Sequence, residues 1–578
     1  MSRHRETVAA KSSEARKSAE NDVPGARAAA SGALPRKLIW APLLWIATAA
    51  FTVEIPFFLF GTPSGHDVEF HLYSWLEVLS QWKQGIFYPR WAALAQFGYG
   101  EPRFIFYPPA SWTLGAALSA IFPWILVSSI YIWIALVAAG VSMFFLARRW
   151  LEPRDATFAA VLYAVNPYHL VIVYWRSAFA ELLASASLPL LLLLLLRSEE
   201  NRRTAVLLAV VLAGACLVNV PAAVMIHYSL ALLMVVIAWQ RRSARVLVTG
   251  AVAVVLGAAL AAFYLVPVAY EQRWVDIAQA VSFGVRPVDS FLFTRTADKD
   301  HNAFNFLVSS VATAEILLTF FVAWCARRWR GRDRELWYSL AVWAGVCALL
   351  MLPITNLLWN VLPKLQFMQF PWRLLLCLGV PFSLFTAMGV KRWSPRVGLY
   401  VAMLGVMVAA GYHFQPPWWD QADDLREMQD NMANGAGYEG TEEYAPLGAE
   451  PKELDKEAQR VTVEGAAQGA IRVTEWSAEH RAFTAEMSRS DNLAVKLLNY
   501  PAWRVSVNGR EVQAGTREVT GQMLVPVGAG MNRVETVFVR TWDRRVGAWI
   551  SVLAILLLVL YTQYEIDVTW IPKGSGAR

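Results

Sequence analysis

Apolar runs of about 20 residues recur along this chain, separated by short loops rich in arginine and lysine. A helix of that length matches the hydrocarbon thickness of a bilayer. Inside lipid, only helices and closed barrels satisfy every backbone N–H and C=O group. The chain therefore reads as a polytopic α-helical membrane protein. Its 56% hydrophobic and 17% charged content agrees, and excludes an ordinary water-soluble enzyme. The net charge of +7 lies largely in the loops between apolar runs. That is where the positive-inside rule puts it, so it serves as a topology signal and no nucleic-acid partner is expected. The four cysteines, Cys216, Cys325, Cys347 and Cys377, sit within apolar segments, so neither a disulfide nor a thiolate metal site is expected.

Residues 1–37, rich in Ala, Ser, Arg and Lys, read as a disordered cytoplasmic tail. A transmembrane domain is expected over 38–413, with its first external loop at 61–125. Basic clusters at 148–149, 197–203, 241–245, 327–334 and 391–396 are assigned to the cytoplasmic side. Together with a last helix at 546–561 and a cytoplasmic tail at 562–578, they give roughly twelve crossings and place both termini inside. Residues 107–123 do not fit as a further crossing and are expected to be re-entrant or interfacial. Residues 414–545 regain charge, and after about residue 460 short runs alternate with period 2, with Asn508–Gly509 as a hairpin turn signal. An external β-sandwich domain is expected there. Arg544 and Arg545, which would then lie outside, are an objection.

The stretch 65–109 is polar and aromatic between apolar runs. Ser64 stands where it can cap a helix, with Asp67 in the capping-box position. Val68, Leu72, Trp75, Leu76 and Leu79 share one helical arc, expected to rest in the lipid interface. Asp67 and Glu69 are candidate base or cation-holding residues, flanked by His66 and His71. Tyr88, Arg90 and Tyr107 follow in the same loop. Arg176 and Glu181 form a second cluster, either a structural ion pair or a phosphate grip. Arg373 begins a helix after Pro371 and Trp372, and can be read as an interface residue that snorkels or as a third phosphate-binding cation. Within the apolar runs, Glu315 and His227 are the groups a transporter would use. No Walker A loop, dinucleotide fingerprint or nucleophile elbow is present.

The strings GHDVEFHLYSW, YPRW, GYG and FIFYPP within 65–109, NPYHLVIVYWRSAFAELLA at 166–184, MQFPWR at 368–373, GTEEYAP at 440–446 and NYPAWRVSVNGRE at 499–511 resemble the bacterial membrane-protein family labelled 6-pyruvoyl-tetrahydropterin synthase-related and its YfhO-type relatives. Nothing resembles the soluble pterin enzyme of that label. The resemblance implies membership of the GT-C superfamily of integral-membrane glycosyltransferases in the bacterial inner membrane. In that superfamily an acid in the first external loop is catalytic, and here it matches Asp67, with Glu69 as a second acid. It also implies a polyprenyl-phosphate sugar donor and a glycan, lipid or protein acceptor. It leaves open a divalent cation, Mg or Mn, on Asp67 and Glu69. A transporter of lipid-linked glycans or ions, and a non-catalytic envelope-assembly protein, are the alternatives.

Overall fold

The computed structural model describes residues 37–198, 203–414 and 419–569. Among these, nine helices are long and apolar enough to cross a membrane, or eleven if each of two bent pairs forms one span, against the roughly twelve expected. The bent pairs, Arg245–Leu260 with Ala262–Trp274 and Arg334–Leu350 with Pro353–Val361, turn by 78° and 89°. Helices of similar hydropathy occupy very different places. Pro371–Gly389 has 94% of its apolar window buried in protein, whereas Trp542–Tyr561 has 22%. The first is the centre of the bundle and the second lies at its rim. Composition cannot separate the two, because lipid and protein interior are equally apolar.

The loop expected to be external does form a helix, Val68–Lys83, with Asp67 at its N-cap position. Two expectations about it are corrected. No side chain caps it, and Ser64 instead hydrogen-bonds to Asp420. Its apolar arc does not face lipid either: Val68, Leu72, Trp75 and Leu76 are buried in protein, and Trp75 stacks on Tyr131 at 4.9 Å. The helix Pro109–Ile121 packs along it. At 13 residues that partner is about 20 Å long, short of the roughly 30 Å of a bilayer core.

Two short strands, β1 (Thr62–Pro63) and β2 (Trp419–Asp420), pair antiparallel and tie the first loop to the chain beyond the helices. The remaining strands are β3 (Val461–Val463), β4 (Gly469–Trp476), β5 (His480–Met487), β6 (Asp491–Leu498), β7 (Trp503–Val507), β8 (Arg510–Val512), β9 (Gly515–Thr516), β10 (Gln522–Val527) and β11 (Gly530–Phe538). They form a four-stranded sheet, β3-β6-β10-β9, and a five-stranded sheet, β4-β5-β11-β7-β8. The turn from β7 to β8 has φ of 53° at Asn508 and 77° at Gly509, as a tight hairpin of this kind requires. Phe483 and Val534 from one sheet and Leu493 and Val525 from the other join a single apolar cluster. Trp91, Tyr99, Ile105 and Phe106 of the first loop enter the same cluster. The first loop thus belongs to two cores, since Val68, Leu72, Trp75 and Phe104 join the helical one.

What fixes the loop against the helices is a backbone seam. Asp67 N donates to the Arg176 carbonyl at 2.9 Å. Gly65 N donates to Ser177 Oγ at 2.9 Å, and that hydroxyl donates to the Pro63 carbonyl at 3.1 Å. Ser177 holds the left-handed conformation, φ 50°, that ends the preceding helix. A Cβ on Gly65 would lie 2.4 Å from the Trp175 carbonyl oxygen and 2.6 Å from Arg176 C. Backbone cannot yield as a flexible side chain does, so Gly65→Ala is expected to destabilise the protein by on the order of 1–3 kcal/mol. Thermal unfolding of the purified variant measures this, and an unchanged midpoint would show that the seam is slack.

Candidate functional site

Arg176 closes a helical segment that ends the span Pro153–Arg176, and Glu181 lies in the first turns of the next span, Phe179–Leu196. The tight turn between them brings the side chains together. Arg176 Nη1 donates to Glu181 Oε2 at 2.6 Å and to the Tyr168 hydroxyl at 3.3 Å, and Tyr168 in turn donates to Glu181 Oε1 at 2.7 Å. Arg373, at the head of the central helix, reaches the same carboxylate, with Nε 3.3 Å from Glu181 Oε2. Its Nη1 donates to the Met368 carbonyl at 3.0 Å. Asp67 stands at the open edge, with Oδ2 3.5 Å from Arg176 Nη2.

The charge balance of this cluster matters more than any one pair. Side-chain exposure is 4% for Arg176, 1% for Glu181 and 7% for Arg373, but 42% for Asp67. Two enclosed guanidinium groups therefore share one enclosed carboxylate. The second negative charge is at the solvent edge, where water screens it. The enclosed part carries a surplus positive charge next to an accessible carboxylate. Aromatic rings cover it. Phe370 and Trp372 stack face to face at 4.7 Å, Arg176 lies 5.2 Å from the Trp372 ring, and Arg373 lies 4.9 Å from Phe370. Tyr107 sits beside them. Burial and then the charge of Asp67 push its hydroxyl well above the usual value, so it remains a neutral donor.

The other expected residues divide. His71 is buried among Trp75, Tyr107 and Phe179. Burial pushes it down to about 4, so it stays neutral near pH 7. His66 is exposed and packs edge-on to Phe304 at 5.3 Å. Glu69 is exposed and bears on Tyr73 and Asp420 rather than on the arginines. Arg90 does not converge with Arg176 and Arg373. It lies 4.2 Å from the Tyr88 ring and faces Arg544, Glu271 and Glu479. Tyr88 packs on Trp112 and Phe263. Arg544 itself is buried and paired twice with Glu271, at 2.7 and 2.8 Å. A matched buried ion pair takes Arg544 out of the count of free cations, while Arg545 beside it is exposed.

The donor set does not suit a resident divalent cation. Asp67 faces a guanidinium and Glu69 looks elsewhere. Among the described residues no group of three or more His, Cys, Asp or Glu could hold a metal.

Two contributors lie outside the expected set. Tyr168 stands eight residues before Arg176, about two helical turns, so helical spacing could have found it. Glu443, in the GTEEYAP stretch, lies in the field of Glu101, Arg103 and Asp67, though 340 or more residues away from them in the chain, and no local signal reveals it. Its segment is held by a buried network. Arg103 Nε donates to Glu101 Oε1 at 2.7 Å, and Thr441 N donates to Glu101 Oε2 at 3.0 Å. Tyr438 donates its hydroxyl to Glu77.

Burial and the neighbouring carboxylates push Glu443 up from 4.5 to about 7. The fold therefore favours the protonated acid, and stability is expected to fall as pH rises from about 4.5 to about 7 and to level off above. Glu443→Gln should remove that decline. Melting midpoints of both proteins at about pH 5 and about pH 8 test it, and parallel pH profiles would exclude Glu443 as the source.

A family model described as "6-pyruvoyl-tetrahydropterin synthase related domain; membrane protein" matches residues 104–413. No curated protein matches. Among solved structures the chain is similar to the crystal structure of ArnT from Cupriavidus metallidurans bound to undecaprenyl phosphate. Identity is 14%, with 75% of this chain and 92% of that chain covered and a TM-score of 0.29. So loose a superposition assigns no residue role.

Proposed function

We propose that this chain, which belongs to the 6-pyruvoyl-tetrahydropterin synthase related family of membrane proteins, is a glycosyltransferase that takes a sugar from a polyprenyl-phosphate donor at the external face of the membrane. The observation that supports this reading is the surplus positive charge of Arg176 and Arg373 over Glu181, beside the half-exposed Asp67. A phosphate group is the ligand chemistry such a site asks for, and the fork of Arg373 is suited to it. Aromatic faces at Tyr107, Phe370 and Trp372 give a sugar ring apolar surfaces to stack on.

The reaction follows from that placement. The acceptor hydroxyl oxygen attacks the anomeric carbon from the face opposite the phosphate, and its proton passes to Asp67 as the new C–O bond forms. The bond from the anomeric carbon to the phosphate oxygen breaks, and its electron pair leaves with polyprenyl phosphate. Arg373, with Arg176 behind it, stabilises the charge that grows on that oxygen. The configuration at the anomeric carbon inverts. Glu181 holds both guanidinium groups in place and takes no proton. The acceptor is a glycan, a lipid or a protein.

A transport reading has one observation in its favour. Glu315 is buried in the span Lys299–Arg332 and neither carboxyl oxygen has a hydrogen-bond partner among the described residues. His227, its expected companion, is bonded through Nδ1 to the Ala223 carbonyl of its own helix at 2.7 Å. In a transferase, Glu315→Gln leaves turnover intact.

Transfer from a labelled polyprenyl-phosphate hexose by the purified protein tests the proposal. Asp67→Asn is expected to lower kcat by roughly a hundred- to ten-thousandfold, the range for loss of a general base. Full activity in that variant would remove Asp67 from the chemistry. Arg373→Ala should weaken donor binding more than Arg373→Lys, which keeps the charge and loses the fork.

A further inference from the structure

We propose a second site at the far end of the helical domain, one that holds the head group and upper chain of an anionic phospholipid. It does not depend on the transferase reading. The helix Lys299–Cys325 links the two ends. Its Phe304 meets Trp372 at 5.8 Å, beside the Asp67 cluster. Arg327 follows 23 residues later, about 35 Å further along at 1.5 Å per residue. This is the end where positive-inside counting places the cytoplasm.

There, a cleft of about 480 Å³ opens between this helix and Arg334–Leu350, within the range of small-ligand sites. Small side chains make the space: Thr319 and Ala323 on one wall, Ala341 and Ala344 on the other, with Trp337 and Phe385 in contact at 5.8 Å. The interior is apolar, but its mouth carries Arg327 and Arg330. Arg327 lies 4.4 Å from the Trp324 ring and Arg330 donates to the Tyr338 hydroxyl at 2.7 Å. Neither has a carboxylate partner among the described residues. The nearby acids are engaged elsewhere. Asp333 accepts from Trp150 and from Leu336 N, and Glu335 pairs with Arg241. Two cations at the polar end of an apolar groove inside a span match a lipid phosphate above an acyl chain.

Two further features favour lipid over a soluble anion. Phe320 and Trp324, which line the cleft, are 45% and 60% exposed within a membrane span, so this edge faces the bilayer. Trp337, 5.4 Å from the Arg330 guanidinium, has a buried indole N–H with no acceptor among the described residues. A glycerolipid offers an ester carbonyl just below its phosphate, an acceptor of the kind that N–H lacks.

The test is native mass spectrometry of the full chain, delipidated in detergent and then titrated with phosphatidylglycerol or phosphatidylethanolamine. Phosphatidylglycerol is expected to bind in preference. The double variant Arg327→Ala, Arg330→Ala should lose on the order of tenfold or more in affinity, since each arginine near a membrane surface contributes roughly fivefold. The double lysine variant should retain most of the affinity. Ala344→Phe, which fills the groove but keeps both cations, should also lose binding. Each variant is compared by melting midpoint with the parent, and Ala344→Phe carries the test if the alanine pair does not fold. Equal binding of the two lipids, or undiminished binding in the alanine or phenylalanine variants, overturns the proposal. Displacement by inorganic phosphate alone would mark a free-anion site instead. Asp67→Asn should leave lipid binding unchanged, so this result and the transfer assay fail or succeed separately.

Discussion

Two guanidinium groups sharing the carboxylate of Glu181 is the interaction on which the rest of the candidate site depends. Removing one partner of an enclosed ion pair leaves the other uncompensated, at a cost of several kcal/mol. Tyr168 and the Met368 carbonyl add hydrogen bonds, and Phe370 with Trp372 adds cover, around these three charged groups. Each comes from a separate segment, so the end of one span, the start of the next and the head of the central helix are held in register by electrostatics rather than by helix packing alone. The backbone seam at Gly65 and Ser177 then sets Asp67 at the rim.

Much of this was legible in the sequence because its signals are local. Apolar runs and basic loops gave the helical domain, and the GHDVEFHLYSW and MQFPWR strings drew attention to Asp67 and Arg373. The failures share a cause. The arc of Val68, Leu72, Trp75 and Leu76 has the same period whether it faces lipid or protein, and nothing local tells that Pro109–Ile121 and Tyr131 cover it. Arg90 looked equivalent to Arg176 and Arg373, because charge and loop position are visible in sequence while direction is not. It turns instead toward Glu271 and Arg544. Glu443 was invisible for the same reason, since its neighbours come from the other end of the chain.

Arg544 shows the converse. Counted as a free cation it argued against the topology; buried against Glu271 it is no longer free, and Arg545 alone remains as an exposed cation there. Positive-inside counting treats every arginine as hydrated, and a matched partner removes a residue from the count.

The bonds from Thr441 to Glu101 reach across 340 residues, and the β1–β2 ladder crosses a similar interval. At about 5–20 residues per second, synthesis takes roughly twenty seconds to a minute to cover that distance. Through this interval the helices can enter the membrane while Glu101 and Glu77 have only their local partners, Arg103 for the one and Gln81 and Leu94 for the other. The network of Glu77 and Glu101 with the 438–441 segment is thus completed last, after the helices. A nascent chain released before residue 438 would hold Glu77 and Glu101 without Tyr438 and Thr441 to donate to them.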